Sequence, residues 1–294
     1  MRYSKILLLI IFLFAFISKI NSGSFPGKKI TDDFGNEITI EQIPQRVITL
    51  APNLTEMIYV LGVEDKLIGN TSYCNYPEAA NIVEKVGDML TVNFEKIITL
   101  KPDLIFITVE GNNKSTYDKL LQLGFKVFIS NPRNYEGIKK TFADMGKIFD
   151  KEKTAGSFVK LWDNKVNSIK SRDSGKKNEI MFLVSLKPIM LAGENTFINE
   201  FIKFTNSINI THDININYPV FNREEVIKRN PDYIFYASEN PEAKDEIKNA
   251  YPEWKNLDAV KNDNVVLVNP DLFFRPGPRF IEALKIFSNS INPR

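Results

Sequence analysis

One cysteine, one histidine and two tryptophans are all that this 294-residue chain holds of those types. The lone Cys74 excludes an internal disulfide, so stability must come from packed cores, and Cys74 reads as a small apolar filler. A Ser-His-Asp or Cys-His centre would have to use His212, and no nucleophile motif lies near it. The chain has no Cys/His cluster spaced for zinc, no glycine-rich phosphate loop and no dinucleotide fingerprint. The acidic pairs Asp32-Asp33 and Glu224-Glu225 are adjacent residues that point to different faces. These absences argue against an enzyme, a protein-held metal and a resident cofactor. An excess of one charge is also missing, with 38 basic residues against 36 acidic ones. Arg2, Lys5 and Lys19 precede Ser22 and no acid does, which leaves 35 against 36 beyond it. That balance offers nucleic acid nothing to bind.

What the chain does have begins with an apolar run from Ile6 to Ile17 behind Arg2 and Lys5. It is followed by small residues at Ser22, Gly23 and Ser24. The run is shorter than the roughly twenty residues a membrane span needs, and it reads as a secretory signal over 1–22. No cysteine follows it, so the usual bacterial lipoprotein attachment is absent and a free periplasmic protein is expected. Over the whole chain, the 43% hydrophobic and 25% charged content is that of an ordinary globular protein.

A repeat organises the rest. Asn93 to Ile107 is echoed 129 positions later by Asn222 to Tyr236, with seven identities in fifteen and no gap. Each copy reads as an Asn N-cap, a first-turn glutamate (Glu95, Glu224), a short apolar helix, a Pro-Asp turn and a buried strand. One helix-turn-strand unit used twice predicts two similar α/β lobes. Around it, Lys29 to Ile40 predicts a hairpin across Asp-Phe-Gly-Asn. Arg46 to Leu50 predicts a strand, feeding a helix that Gly62 closes. Short strands are predicted at Lys66 to Gly69 and Lys126 to Ser130, the latter after a helix through Tyr117 and Leu120. Phe158, Leu161, Trp162, Val166 and Ile169 keep helical spacing behind an expected N-cap at Asp150. About twenty such residues span roughly 30 Å, a stiff connection between lobes. Ser171 to Asn178 reads as a solvated turn, Glu179 to Ser185 as a strand, and Thr205 to Pro219 as a loop. A final strand over Val265 to Val268, a loop over Asn269 to Pro278 and a helix through Phe280, Leu284, Ile286 and Phe287 complete the chain. The expected boundaries are 23–149, 150–172 and 173–294.

A cleft between lobes needs aromatics and a few polar anchors rather than catalytic groups. The loops that would face one another carry Pro52, Asn53, Tyr73, Tyr76 and Met89 on one side. The other side offers Tyr218, Asp271, Phe273 and Arg275, of which Phe273 could equally be core and Arg275 could tie down its own turn.

Arg46 to Glu56, Tyr73-Cys-Asn-Tyr-Pro77, Asn93-Phe-Glu95, Lys101-Pro-Asp-Leu104 and Arg275-Pro-Gly-Pro-Arg279 together resemble the class III periplasmic solute-binding proteins. These serve ABC importers of cobalamin, haem and iron-siderophores. The resemblance runs over nearly the whole chain beyond the signal and is strongest to the cobalamin-binding branch. It implies an α/β fold of two Rossmann-like lobes with mostly parallel sheets, one long connecting helix and a ligand cleft between the lobes. It implies ligand contacts at Asn53, Tyr73, Met89, Thr108, Tyr218, Asp271 and Arg275, and docking of Glu95 and Glu224 on arginines of a membrane permease. Met89, Thr108 and Tyr218 stand where the best-known cobalamin binders have tryptophan. The implied ligand is a corrinoid, with an iron-siderophore or haem as alternatives, so any cobalt or iron would arrive with the ligand. A monomer is expected. A sensory or interaction protein on the same fold is the alternative of another class.

Overall fold

The computed structural model describes residues 25–171, 175 and 177–292. The signal over 1–22 and the boundary at 172 and 173 lie outside the described residues.

A hairpin of β1 (Lys28–Thr31) and β2 (Glu37–Ile40) opens the described chain. Asp32 builds its turn, its Oδ1 accepting from the Phe34 and Asn36 amides. The first lobe follows as a four-stranded parallel sheet in the order β4-β3-β5-β6. Its strands are β3 (Val47–Thr49), β4 (Leu67–Asn70), β5 (Leu104–Thr108) and β6 (Val127–Ser130). The second lobe has a six-stranded sheet in which β7 (Glu179–Ser185), β11 (Tyr233–Ala237) and β12 (Val265–Val268) run parallel. β8 (Ile189–Leu191) and β10 (Val220–Phe221) form its antiparallel edge. β9 (Ile208–Asn209) pairs with the start of β7, so the stretch expected as a plain loop donates a strand.

Strand alternation sorts the side chains into three cores. Ile48, Ile105, Ile107 and Ile129 face an outer core that Ile97 and, from helix α3 (Lys114–Gln122), Leu120 close. Met181, Leu183, Ile234 and Val265 face the corresponding outer core of the second lobe. Ile247 of α8 (Ala243–Ala250) and Ala259 of α9 (Asp258–Lys261) belong to it. The opposite faces, with Val47, Phe106 and Phe128 from one sheet and Phe182 and Phe235 from the other, join one continuous core. That core runs through helices α4 (Tyr135–Ile148), α5 (Glu152–Lys170), α6 (Asn199–Phe204) and α11 (Phe280–Ile291). Phe280 of α11 stacks on Tyr135 of α4 at 5.3 Å and on Phe201 of α6 at 4.7 Å. The lobes therefore share apolar packing across the connection.

Helix α1 (Pro52–Leu61) ends on Gly62 in the left-handed region at φ 67°. The repeat is realised as α2 (Phe94–Leu100) leading to β5 and α7 (Arg223–Arg229) leading to β11. Asn93 and Asn222 both cap by accepting an amide three residues on. Lys101 and Asn230 both end their helices left-handed, at φ 49° and 42°. The repeated aspartates have matching tasks. Asp103 accepts from the Gln45 and Arg46 amides at 2.7 and 2.9 Å, and Asp232 accepts from the Glu179 amide at 2.8 Å. Each carboxylate thus anchors the chain where it turns into the central strand of its sheet.

Three expectations are corrected. Helix α4 is absent from the sequence reading, although Asn134 caps it and Ile138, Phe142 and Met145 are buried at helical spacing. Asp150 does not cap α5. It sits left-handed at φ 57° and pairs with Lys28, and Lys151 holds the cap position. Leu161 and Ile286 point to solvent, so the buried stripes of α5 and α11 are narrower than expected. Cys74 is fully buried, 3.2 Å from the Thr71 hydroxyl.

Candidate functional site

In both sheets the parallel strands point their carboxyl ends at the gap between the lobes, the place where open α/β sheets bind ligands. A cavity of about 610 Å³ lies there. Chain leaving β3, β5 and β6 supplies Pro52, Asn53, Glu110, Gly111 and Arg133, the end of β7 supplies Val184, and chain leaving β12 supplies Pro270 and Asp271. All seven ligand candidates, Asn53, Tyr73, Met89, Thr108, Tyr218, Asp271 and Arg275, line this one cavity.

Their local fixing differs. Asn53 is nearly buried at the first turn of α1, where Pro52 fits the first helical position. Its Nδ2 donates to the Pro276 carbonyl of the other lobe at 3.2 Å. The Thr108 amide donates to Asn112 Oδ1 at 3.0 Å, and Asn112 Nδ2 donates to the Leu50 and Met89 carbonyls at 3.1 and 2.9 Å. Asn112 thereby ties three cleft loops together. Met89 lies against Gly111, where a Cβ would come within 2.1 Å of the thioether methyl. The Tyr73 ring stands 56% exposed in the cleft.

Two charged groups span the lobes. At one end, Tyr218 donates to Glu110 Oε1 at 3.3 Å, and Arg133 donates to the same oxygen at 2.5 Å. Burial and then the Glu110 charge push the Tyr218 phenol well above its ordinary range. At the other end, Arg275 pairs with Asp271 at 2.5 Å and reaches Glu56 at 3.4 Å. It also donates to Asn75 Oδ1 and the Tyr73 carbonyl of the first lobe. Asn75 returns a bond to Asp271 at 2.6 Å. Beneath them Glu56, 2% exposed, takes a bidentate pair from Arg279 at 2.6 and 2.9 Å. Burial works against the Arg279 charge, but the bonds to Glu56 outweigh it and leave its pKa raised.

Two aromatic candidates are turned elsewhere. Phe273 is fully buried core, because the loop expected over Asn269 to Pro278 contains a helical turn, α10 (Pro270–Phe273), which presents Phe274 to the cleft instead. Tyr76 leaves the cleft and lies 4.1 Å from the Arg279 guanidinium. Glu110, Arg133, Asn112 and Glu56 were not marked from sequence. Glu110, Asn112 and Arg133 each follow a buried strand closely and are reachable by the rule that strand ends bear sites; Glu56 carries no such signal. Glu95 and Glu224 lie outside the cavity, both exposed in the first turns of α2 and α7. Among the described residues no group of three or more His, Cys, Asp or Glu could hold a metal ion.

A two-lobed α/β fold with a cavity where the strands of both sheets end defines the architecture of a solute-binding protein. The chain matches the periplasmic binding protein family over residues 47–272 and belongs to it. It is 32% identical over 273 residues to an ABC transporter substrate-binding lipoprotein of Bacillus subtilis, covering 90% of this chain and 85% of that one. It is 30% identical to a vitamin B12-binding protein of Vibrio cholerae, covering 82% of this chain and 87% of the relative. The crystal structure of the periplasmic vitamin B12-binding protein of Vibrio cholerae superposes with a TM-score of 0.74 at 29% identity, over 85% and 97% of the two chains. A possible iron-binding periplasmic solute-binding protein from Staphylococcus epidermidis superposes at 0.76 and 29%, over 85% and 99%.

Proposed function

We propose that this protein is the solute-binding component of an ABC importer, that it captures a corrinoid between its lobes, and that it hands the ligand to a membrane permease. The charge state of the cleft carries the choice of ligand. Its four charged residues are Glu110, Arg133, Asp271 and Arg275, and each arginine is already paired with a carboxylate. No cation is left over to meet an anionic ligand, whereas Asn53, Thr108, Asn217 and Tyr218 offer hydrogen bonds beside Met89, Phe274 and the Tyr73 ring. That combination suits a large ring fringed by neutral amides. Likeness to vitamin B12-binding proteins over most of the chain supports the same reading. The protein works by binding rather than by chemistry, as a monomer exported by the segment 1–22 and divided at 23–149, 150–172 and 173–294.

Delivery rests on Glu95 and Glu224. Of the residues the repeat preserves, Asn and Asp have structural tasks in both copies. The Glu95 carboxylate bonds nothing among the described residues, and Glu224 has only a 3.9 Å approach from Arg223. Two exposed negative points, one per lobe, suit a permease with a basic residue on each half.

An iron chelate is the second reading, favoured by the likeness to the Staphylococcus epidermidis protein. Native mass spectrometry against cobalamin, cobinamide, haem and a panel of ferric siderophores, followed by calorimetry, separates the two. The expected result is a corrinoid complex of sub-micromolar affinity. A siderophore or haem complex without any corrinoid complex would overturn it.

A further inference from the structure

Glu56 lies outside the cavity, yet its carboxylate touches both arginines at the cleft floor. Its Oε1 accepts from Arg279 Nη2 at 2.6 Å and lies 3.4 Å from Arg275 Nη1, while its Oε2 accepts from Arg279 Nε at 2.9 Å. Arg275 faces the cavity and has Asp271 as its other carboxylate, at 2.5 Å. Arg279 also donates to the Asp271 carbonyl at 3.1 Å, which locks the same turn. The four groups bring two cations and two anions together, three of them at least 83% buried, with Glu282 acting on Arg279 as a further, smaller influence. Guanidinium groups do not lose their protons here, so the set stays neutral only while Glu56 is charged.

We propose that Glu56 is a specificity determinant: as the buried counter-charge to Arg275 and Arg279 it keeps the cleft from attracting anions, so the protein takes neutral, amide-bearing rings and passes over ring carboxylates. The proposal rests on the reading of the cleft as a solute site. Removing the charge would take the bidentate carboxylate from Arg279 and the one at 3.4 Å from Arg275, leaving the Asp271 carboxylate, held by Arg275, opposite two guanidinium groups and a net positive charge at the cleft floor. In a partly desolvated cleft one such charge at several ångströms attracts a carboxylate by about tenfold in affinity or more. Removing Arg279 instead would leave two carboxylates on Arg275, with the opposite sign. Removing both would restore neutrality.

The test uses haem and haem dimethyl ester, which share a ring and differ only in whether the carboxylates are free. Wild-type protein, Glu56→Gln, Arg279→Gln and the double variant are titrated with each by absorbance. Glu56→Gln should gain about tenfold or more for the diacid and nothing for the diester. Arg279→Gln should shift the ratio away from the diacid, and the double variant should return it to the wild-type value. A general loosening of the lobes would alter both ligands together, so equal changes, or no gain for the diacid, would overturn the proposal. Should Glu56→Gln fail to fold, the sign of the Arg279→Gln shift decides. Cobalamin titrated into the wild-type protein tests the corrinoid reading separately.

Discussion

Gly111→Ala would reshape the cleft from behind. An alanine Cβ there would lie 2.1 Å from the Met89 methyl and 3.0 Å from the Thr108 methyl. Ordinary carbon contacts need about 3.5 to 4.0 Å, so the Met89 end must retreat by roughly 1.5 Å. Met89 is unbranched and half-buried, and its backbone stays fixed by Asn112, so the side chain can swing while the loop holds. An off-rotamer turn of that kind costs about 0.5 to 1.5 kcal/mol. A loss of that size lowers the melting temperature of a protein this large by only a few degrees, roughly 2 to 4 °C per kcal/mol. The larger effect falls on the ligand, since both residues line the cavity. A loss of affinity of about tenfold, or 1.4 kcal/mol, is expected in calorimetry with cobalamin. The check is a double-mutant cycle with Met89→Ala, which removes the methyl that the added Cβ would strike. In that background Gly111→Ala should cost little. An equal affinity loss with and without the Met89 side chain would refute the argument.

Glu95→Ala and Glu224→Ala should each weaken permease binding and uptake, more so together and more at low salt, while ligand affinity and melting temperature stay put; unchanged docking of the double variant in a pull-down at low salt would end the docking reading. Phe280→Ala should cost about 3 to 5 kcal/mol in urea denaturation, because its ring is buried against Tyr135 and Phe201 where the lobes share their core. Burial raises the phenols of Tyr135 and Tyr218, with Asp163 and Glu110 adding to it respectively. A raised folded pKa favours the neutral form, so this contribution is complete below the unfolded value of about 10 and is lost as pH rises above it. An ultraviolet titration should show Tyr218→Phe lacking one late-ionising tyrosine, and an unchanged late phase would count against it.

The fold was readable because its signals are local. Continuous apolar runs rich in β-branched residues mark β3, β7 and β12, Gly62 marks a helix end, and the repeat marks two lobes. Pro102-Asp103 and Pro231-Asp232 could be seen as turns, but the bonds of those aspartates to Gln45, Arg46 and Glu179 join residues more than fifty positions apart. Helix α4 had the right spacing and cap, yet glycines at 137 and 146 and alternating charges diluted its stripe. In the site, family resemblance supplies positions that the structure gathers in one cavity, Asp271 among them, but not the counter-charges Glu110 and Glu56. Glu56 reads from sequence as the one charged residue of its helix, and only the approach of Arg275 and Arg279, over 200 residues away, gives it a task. Phe273 and Phe274 differ by one position, and a single helical turn decides which of them meets the cleft.

The shared core has a temporal side. Helix α11 is the last described element of the chain, and its Phe280 and Leu284 complete packing that begins at Ile30. A ribosome or export channel releases the chain from its first residue onward, so the first lobe emerges long before the aromatic side chains that cover it. Until the final helix arrives, Tyr135 lacks the ring it stacks on and the common core stays open. Final folding must then wait for release of that last helix, and truncation by fifteen residues, which removes Phe280 and everything after it, would leave the first lobe, more than a hundred positions away, sensitive to protease.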